Sequence, residues 1–275
     1  MQTLCEVVGG GAHATVFRLV NGDILKQFRV DVGVKEEFAR QARIHNAFHH
    51  LLRRCCDGDT VNSSIAERVR SHIRVSEPLH CGATTLTMRP LVGVSRDSLA
   101  PLLATVPPAS TTVPDTLPHQ VMVHLALNNT ESAPQVIGVT PTLPVHPVTN
   151  PVRGFFLGGD VDTLEESLER LHCPWTLREL DQMIGFVYGW IYFACALLPL
   201  DVELTLGHDP TSAQWHLNVL DFGLCTERGP HSPQSERRLR QRVSDDVYCD
   251  LLGNAAACAG FEEARRVATL TVDDE

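Results

Sequence analysis

Alternation of apolar and polar positions opens the chain. Val16, Arg18 and Val20 alternate, Asn21-Gly22 follows, and Ile24, Lys26 and Phe28 alternate back. A period of two marks strands, and Asn-Gly favours a type I′ turn, so residues 4–30 are predicted as three antiparallel strands. From residue 34 the spacing becomes helical, with Phe38, Ala42, Ile44, Ala47 and Leu51 marking a helix over 34–56. A weaker helix is predicted from Ser64 to Ile73, and His80 to Leu91 returns as strand. Ten prolines between Pro101 and Pro151, both included, forbid a regular helix there, so a strand over Gln120–Leu127 is the one element expected. A short helix over Thr163–His172 follows. A capping box, Thr176-Leu-Arg-Glu179, then opens a long helix whose uncharged run, Met183 to Leu198, ends at Pro199. A hairpin of Val202–Leu206 and Trp215–Leu220 precedes a final helical stretch over 233–268.

This order of elements is that of an α+β chain. The Pro, Thr and Val enrichment divides it into residues 1–98 with the strands and first helices, a Pro-rich connection over 99–152, and residues 153–275 with the buried helix and the acidic hairpin.

A length of 275 residues is enough for a full core, either in one large domain or in two lobes that share a cleft. The net charge of -10 opposes a broad electrostatic grip on nucleic acid, leaving only local basic patches for that purpose. Met183–Leu198 is shorter than the ~20 residues that span a bilayer, so no membrane association is expected. Met1–Val8 lack the basic start and apolar run of an export signal, which points to the cytoplasm. The nine cysteines include no Cys-x-x-Cys, and the histidines have no metal-ligand spacing on one helix. Buried thiols, no metal and no cofactor are therefore the expectation.

Chemistry is concentrated at a few positions. Gly9-Gly-Gly11-Ala-His-Ala14 lies at a strand–turn–strand tip, which excludes the dinucleotide and Walker geometries and leaves a flap whose amides can approach a ligand, Gly9 and Gly11 foremost. Lys26, one of two lysines, stands on the third strand facing that flap, where a compact ammonium can hold an anion or a carboxylate. Asp201 and Glu203 lie two apart and so project to one face of a strand, while Val202, Leu204 and Leu206 enter the core. Two carboxylates on one surface can bind a cation, split acid and base roles, or grip a guanidinium. Asp221-Phe222-Gly223 ends the partner strand, and Asp221 should emerge toward that pair. Arg237, Arg238, Arg240 and Arg242 form one basic cluster, and Arg40, Arg43, Arg53 and Arg54 form another. A solvated helix face is the simpler account of either cluster alone.

The succession of Gly-rich flap, strand Lys, helix, Met88-Arg89-Pro90-Leu91, buried helix, acidic strand and Asp-Phe-Gly resembles the protein-kinase-like superfamily from about Cys5 to Gly223. That resemblance implies a two-lobed fold, with a small N-terminal antiparallel sheet plus helix and a mainly helical C-terminal lobe. Two departures stand out. No His-Arg-Asp loop precedes the acidic strand, and Gln41 falls where the helix glutamate should meet Lys26.

Three segments are similar to a fungal family of kinase-like proteins, often labelled hypothetical or zinc-finger proteins: Arg153-Gly-Phe-Phe-Leu-Gly-Gly159, Asp201-Val-Glu203-Leu-Thr-Leu-Gly207 and Leu217-Asn-Val-Leu-Asp221-Phe222. The family's activity is the synthesis of arginine-containing cyclic dipeptides from arginyl-tRNA and a second aminoacyl-tRNA. The resemblance implies catalytic roles for Asp201 and Glu203, and substrate binding by Lys26, Asp221, Gly9 and Gly11. It further implies tRNA contacts from Arg237, Arg238, Arg240 and Arg242. A divergent small-molecule kinase and a non-catalytic pseudokinase-like binding module are the alternatives.

Overall fold

The computed structural model describes residues 4–10, 13–30, 33–54, 64–103, 120–125, 138–139, 154–157, 161–200, 202–244 and 254–272. Strands β1 (Leu4–Gly10), β2 (Ala14–Leu19) and β3 (Ile24–Phe28) form the expected antiparallel meander. The β2–β3 turn differs from the two-residue type I′ expectation. Gly22 alone takes positive φ, at 89°, and its amide bonds to Leu19 O while Leu19 N bonds to Asp23 O. This is a longer hairpin loop closed by a left-handed glycine.

Helix α1 (Val34–Arg54) buries Val34, Glu37, Gln41, Ile44, Phe48 and Leu51. These positions alternate in steps of three and four, which is one face of a helix. The stripe read from apolar residues alone was rotated from this face, because two of its buried members are polar.

Helix α2 (Ser64–His72) leads into β4 (Ile73–Val75). The single strand expected over His80–Leu91 is instead a hairpin, β5 (Pro78–Cys81) and β6 (Thr85–Met88), turned by the Gly82 N to Thr85 O bond. Together these strands complete a five-stranded sheet in the order β1-β2-β3-β6-β5, against which α1 packs.

After β7 (Val94–Ser95), the Pro-rich stretch holds more than its one expected strand. It contains the end of α3 (Arg96–Leu103), then β8 (Gln120–Leu125) and β9 (Gly138–Val139). Strand β10 (Gly154–Leu157) and helix α4 (Val161–Arg170) follow.

Helix α5 (Leu177–Phe193) opens with the expected capping box and is buried at Leu180 and Asp181 and continuously from Met183 to Tyr192. It stops before Pro199, the expected terminator. The chain turns at Ala196, at φ 51°, so that β11 (Leu197–Leu198) can pair with β14 (Thr226–Glu227). Between them lie β12 (Glu203–Asp209) and β13 (Gln214–Leu220), which pair antiparallel with Glu203 opposite Leu220.

The expected terminal helix is two helices, α6 (Pro233–Ser244) and α7 (Ala255–Val272). The second sheet has seven strands, running β4-β13-β12-β8-β10-β9 with β7 on β8. Its hairpin, α5 and α7 share one core that includes Leu204, Leu206, Leu217, Val219, Ile184, Tyr188 and Phe261. No helix among the described residues is long and apolar enough to cross a membrane.

Candidate active site around Lys26 and Asp221

Strand β3 delivers Lys26, helix α1 delivers Glu37, and the end of β13 delivers Asp221. The Lys26 ammonium lies 2.8 Å from Glu37 Oε1 and 3.2 Å from Asp221 Oδ1. Glu37 is buried, whereas the Asp221 carboxylate keeps 41% of its surface open. Burial alone would lower the Lys26 pKa, but the Asp221 and Glu37 charges outweigh it and hold the ammonium above its ordinary value.

The expected position of the helix partner is thus corrected. Gln41 turns its amide to Ser76 O at 3.1 Å, and Glu37, one helical turn earlier, meets the lysine. Glu37 lies on the same buried stripe as Gln41, which is the signal a reading confined to apolar positions passes over.

Asp221 has φ of 57°, a left-handed conformation that costs a non-glycine residue roughly 1–3 kcal/mol and persists only where the surroundings enforce it. Three contacts do so. Lys26 holds Oδ1, the Gly223 amide donates to the same oxygen at 3.4 Å, and Arg40 of α1 donates to Phe222 O at 3.2 Å and Gly223 O at 2.9 Å. Gly223 is needed for close approach, since a Cβ there would lie 3.1 Å from Glu37 Oε2 and 3.3 Å from Asp221 Oδ1. One turn further along α1, Arg43 pairs with Glu227 at 2.9 Å. Arg40 and Arg43, read first as a solvated basic face, are therefore the fastening of α1 to residues 222–227. The side chains of Arg53 and Arg54 lie outside the described residues.

Glu203 starts β12, half-buried, opposite the residue before Asp221. Tyr188 of α5 fixes this strand start by donating its hydroxyl to Val202 O at 3.2 Å. Val202, Leu204 and Leu206 fill the core as expected. Asp201 lies outside the described residues, as does Gly11. Gly9 stands near the tip of β1, paired with Val16, beside a register shift between Val7 and Gly9.

The basic cluster of α6 divides. Arg237 and Arg238 are exposed, and the side chain of Arg242 lies outside the described residues. Arg240 pairs with Glu236 and Glu262 and covers the Phe261 ring at 4.7 Å, so it staples α6 to α7. The described site combines one charged lysine with a buried carboxylate, Glu37, and a more open one, Asp221, which is able to hold a cation or guanidinium or to accept a proton.

No family model and no curated protein matches the chain. Among solved structures the chain is similar to the Rio2 kinase–ADP/Mg2+–phosphoaspartate complex from Chaetomium thermophilum, with 12% identity over 98% of this chain and 72% of that chain, and a TM-score of 0.29. A likeness this shallow carries no argument about the site.

Proposed function

We propose that the chain is a two-lobed, kinase-like protein that condenses arginine from arginyl-tRNA with a second aminoacyl-tRNA-derived amino acid into a cyclic dipeptide. The observation that carries this reading is the placement of the three family-like segments. Residues 153–159, 201–207 and 217–222 are far apart in sequence, yet they contribute β10, β12 and β13 to one seven-stranded sheet. In the last two, Glu203 pairs with Leu220, the residue before Asp221.

In this reading the acidic end of the hairpin receives the arginyl side chain. Carboxylates there grip a guanidinium by paired, charge-assisted hydrogen bonds, or take the proton from an attacking α-amine. Each peptide bond forms as the amine displaces a ribose hydroxyl from the aminoacyl ester, so the ester supplies the driving force and no nucleotide is consumed. Exposed Arg237 and Arg238 are the described side chains available to an acceptor stem.

A second reading has its own observation. The Lys26–Glu37–Asp221 constellation is what a divergent small-molecule kinase needs to hold a nucleotide and its metal ion.

Mass spectrometry of small molecules from cells expressing the chain tests the first reading. An arginine-containing cyclic dipeptide should appear, and should vanish when Asp201→Ala and Glu203→Ala are combined in a chain that still folds. Absence of that product with folded protein and charged tRNA present overturns the synthase. ATP binding that depends on Lys26 would then favour the kinase.

A further inference from the structure

At the edge of the seven-stranded sheet, β4 pairs parallel with β13 so that Arg74 stands beside Asn218. His216, two residues earlier on β13, shares that face. The surroundings of these three side chains are unbalanced. Arg74 is half-buried, and its one hydrogen bond among the described residues is from Nη1 to the carbonyl of its own neighbour Ile73, at 2.8 Å. Among the described residues no carboxylate pairs with it, and burial lowers its guanidinium pKa with nothing to offset the loss.

His216 is 5% exposed and Asn218 fully buried, and both carry a polar atom without a partner among the described residues, Nδ1 of the imidazole and Oδ1 of the amide. The His216 pKa falls to about 4, first through burial and then through the charges of Arg74 and His72. Asp209, the carboxylate that acts on His216, opposes this fall but counts for less than Arg74 or His72. A buried charge and an unpaired imidazole nitrogen that can donate each cost free energy that an anionic ligand recovers, whereas the Asn218 oxygen calls for a donor such as water.

We propose that Arg74, with the His216 imidazole and His72 beside it, forms an anion site that takes a phosphate group. A guanidinium fork matches phosphate oxygens, and an imidazole Nδ1–H supplies a further donor. β4 is the edge strand of its sheet, so half-buried Arg74 stands at the sheet margin with His216 and Asn218 inside it. The site lies on the same face of the hairpin as Glu203. The Thr205–Asn218 pair lies between His216 and Glu203 along the hairpin, and Asn218 Nδ2 donates to the Val92 carbonyl at 2.8 Å. The inference therefore stands apart from the acyl-transfer reading and survives its failure.

The test is nitrogen-detected NMR of the histidine rings in the full chain, titrated at constant ionic strength with inorganic phosphate, adenosine 5′-monophosphate and adenosine. The His216 signals should move saturably with phosphate and with the monophosphate, and stay still with adenosine. Tighter binding of the monophosphate than of phosphate would identify a nucleotide as the source, and equal binding a free phosphate. Arg74→Gln should weaken the response by about tenfold or more. Should Arg74→Gln fail to fold, Arg74→Lys must bind measurably more weakly than the wild type, because it loses the fork. A His216 signal unmoved by phosphate, or an Arg74 variant that binds as the wild type does, overturns the site and leaves trapped water as the partner of these groups.

Discussion

Lys26 and Glu37 meet at 2.8 Å, and this contact sets where helix α1 stands relative to the five-stranded sheet. Because the same ammonium reaches Asp221, one side chain joins β3, α1 and the end of β13. Arg40 and Arg43 continue the connection along the following turns of α1, to Phe222, Gly223 and Glu227. The orientation of α1 and the conformation of residues 221–227 are thus one structural variable.

Removing one partner should expose that coupling. Glu37→Gln leaves Lys26 with Asp221 alone and a buried amide in place of the carboxylate. Unfolding by urea at neutral pH should show a loss of about 2 kcal/mol, between the cost of a lost charged hydrogen bond and that of a broken buried pair. The pH dependence has a definite sign. A lysine whose pKa is raised on folding contributes stability in full below its unfolded value of about 10.4, and that stability is lost as pH rises through the folded value. Wild type should therefore lose stability on the alkaline side, and Glu37→Gln should lose less there. A variant with the same alkaline profile as wild type would mean that Glu37 does not hold the ammonium.

Arg40 acts through the backbone of residues 222 and 223, so its removal should loosen Asp221 more than it unfolds the chain. Arg40→Ala should speed amide hydrogen exchange across 221–227 by about tenfold or more, consistent with loss of two charge-assisted bonds. Exchange in α5 should stay unchanged. Arg40→Lys should restore the protection only in part, because an ammonium lacks the fork that spans both carbonyls. Unchanged exchange in Arg40→Ala would show that residues 221–223 hold their conformation without it.

Much of this was legible in the chain, and the failures have physical causes. Alternation around Val16 and Lys26 defined the first strands, and Thr176-Glu179 set the start of α5, because both signals are local. Lys26 and Asp221 were each singled out, one facing the Gly-rich flap and the other at the end of an apolar strand, but their contact shows only in the fold. Glu37 was missed because apolar spacing drew the buried face of α1 through Phe38 and Ala42, whereas polar Glu37 and Gln41 lie on it. A polar residue on a buried stripe is visible only once its partners are known. The early end of α5 was equally hidden, since it depends on pairing between Leu197–Leu198 and Thr226–Glu227, almost thirty residues apart. Arg240 looked like a surface cation because its partner Glu262 lies on another helix.

Glycine makes the contact between α5 and α7 possible. A Cβ at Gly185 would collide with the Ala257 carbonyl, one at Gly260 with the Gln182 carbonyl, and one at Gly189 would lie 2.7 Å from Ala264 Cβ. Gly260→Ala must push the helices apart along a core that includes Phe186 and Phe261, so it should destabilise the fold by about 3 kcal/mol or more. Higher helix propensity of alanine, about 1 kcal/mol, works in the opposite direction. Exposed Ala259, one position away, should tolerate serine with little change. Urea midpoints of the two variants make the comparison, and a Gly260→Ala midpoint equal to wild type would show that α7 can shift at no cost.

Asp181 gives a prediction opposite to the usual loss on removing a charge. It is buried on α5, with Oδ2 accepting from Asn254 at 2.6 Å and Oδ1 without a partner among the described residues. Burial raises its pKa, and the Asn254 bond only partly opposes that rise. A carboxyl whose pKa rises on folding contributes stability below its unfolded value of about 3.9, which is lost as pH increases through the folded value. At neutral pH the folded chain therefore carries the cost of an ionised buried group. Asp181→Asn removes that cost and keeps an oxygen for Asn254, whose own Oδ1 caps α7 by accepting from Ala256 and Ala257 amides. The variant should be as stable as wild type or more so by about 1 kcal/mol at pH 7, with the advantage shrinking as the pH is lowered. Asp181→Leu, which leaves Asn254 unpaired, should instead destabilise. Thermal unfolding across the acid range separates the two, and an Asn variant weaker than wild type at neutral pH would show that the ionised carboxylate is a net stabiliser of the α5–α7 contact.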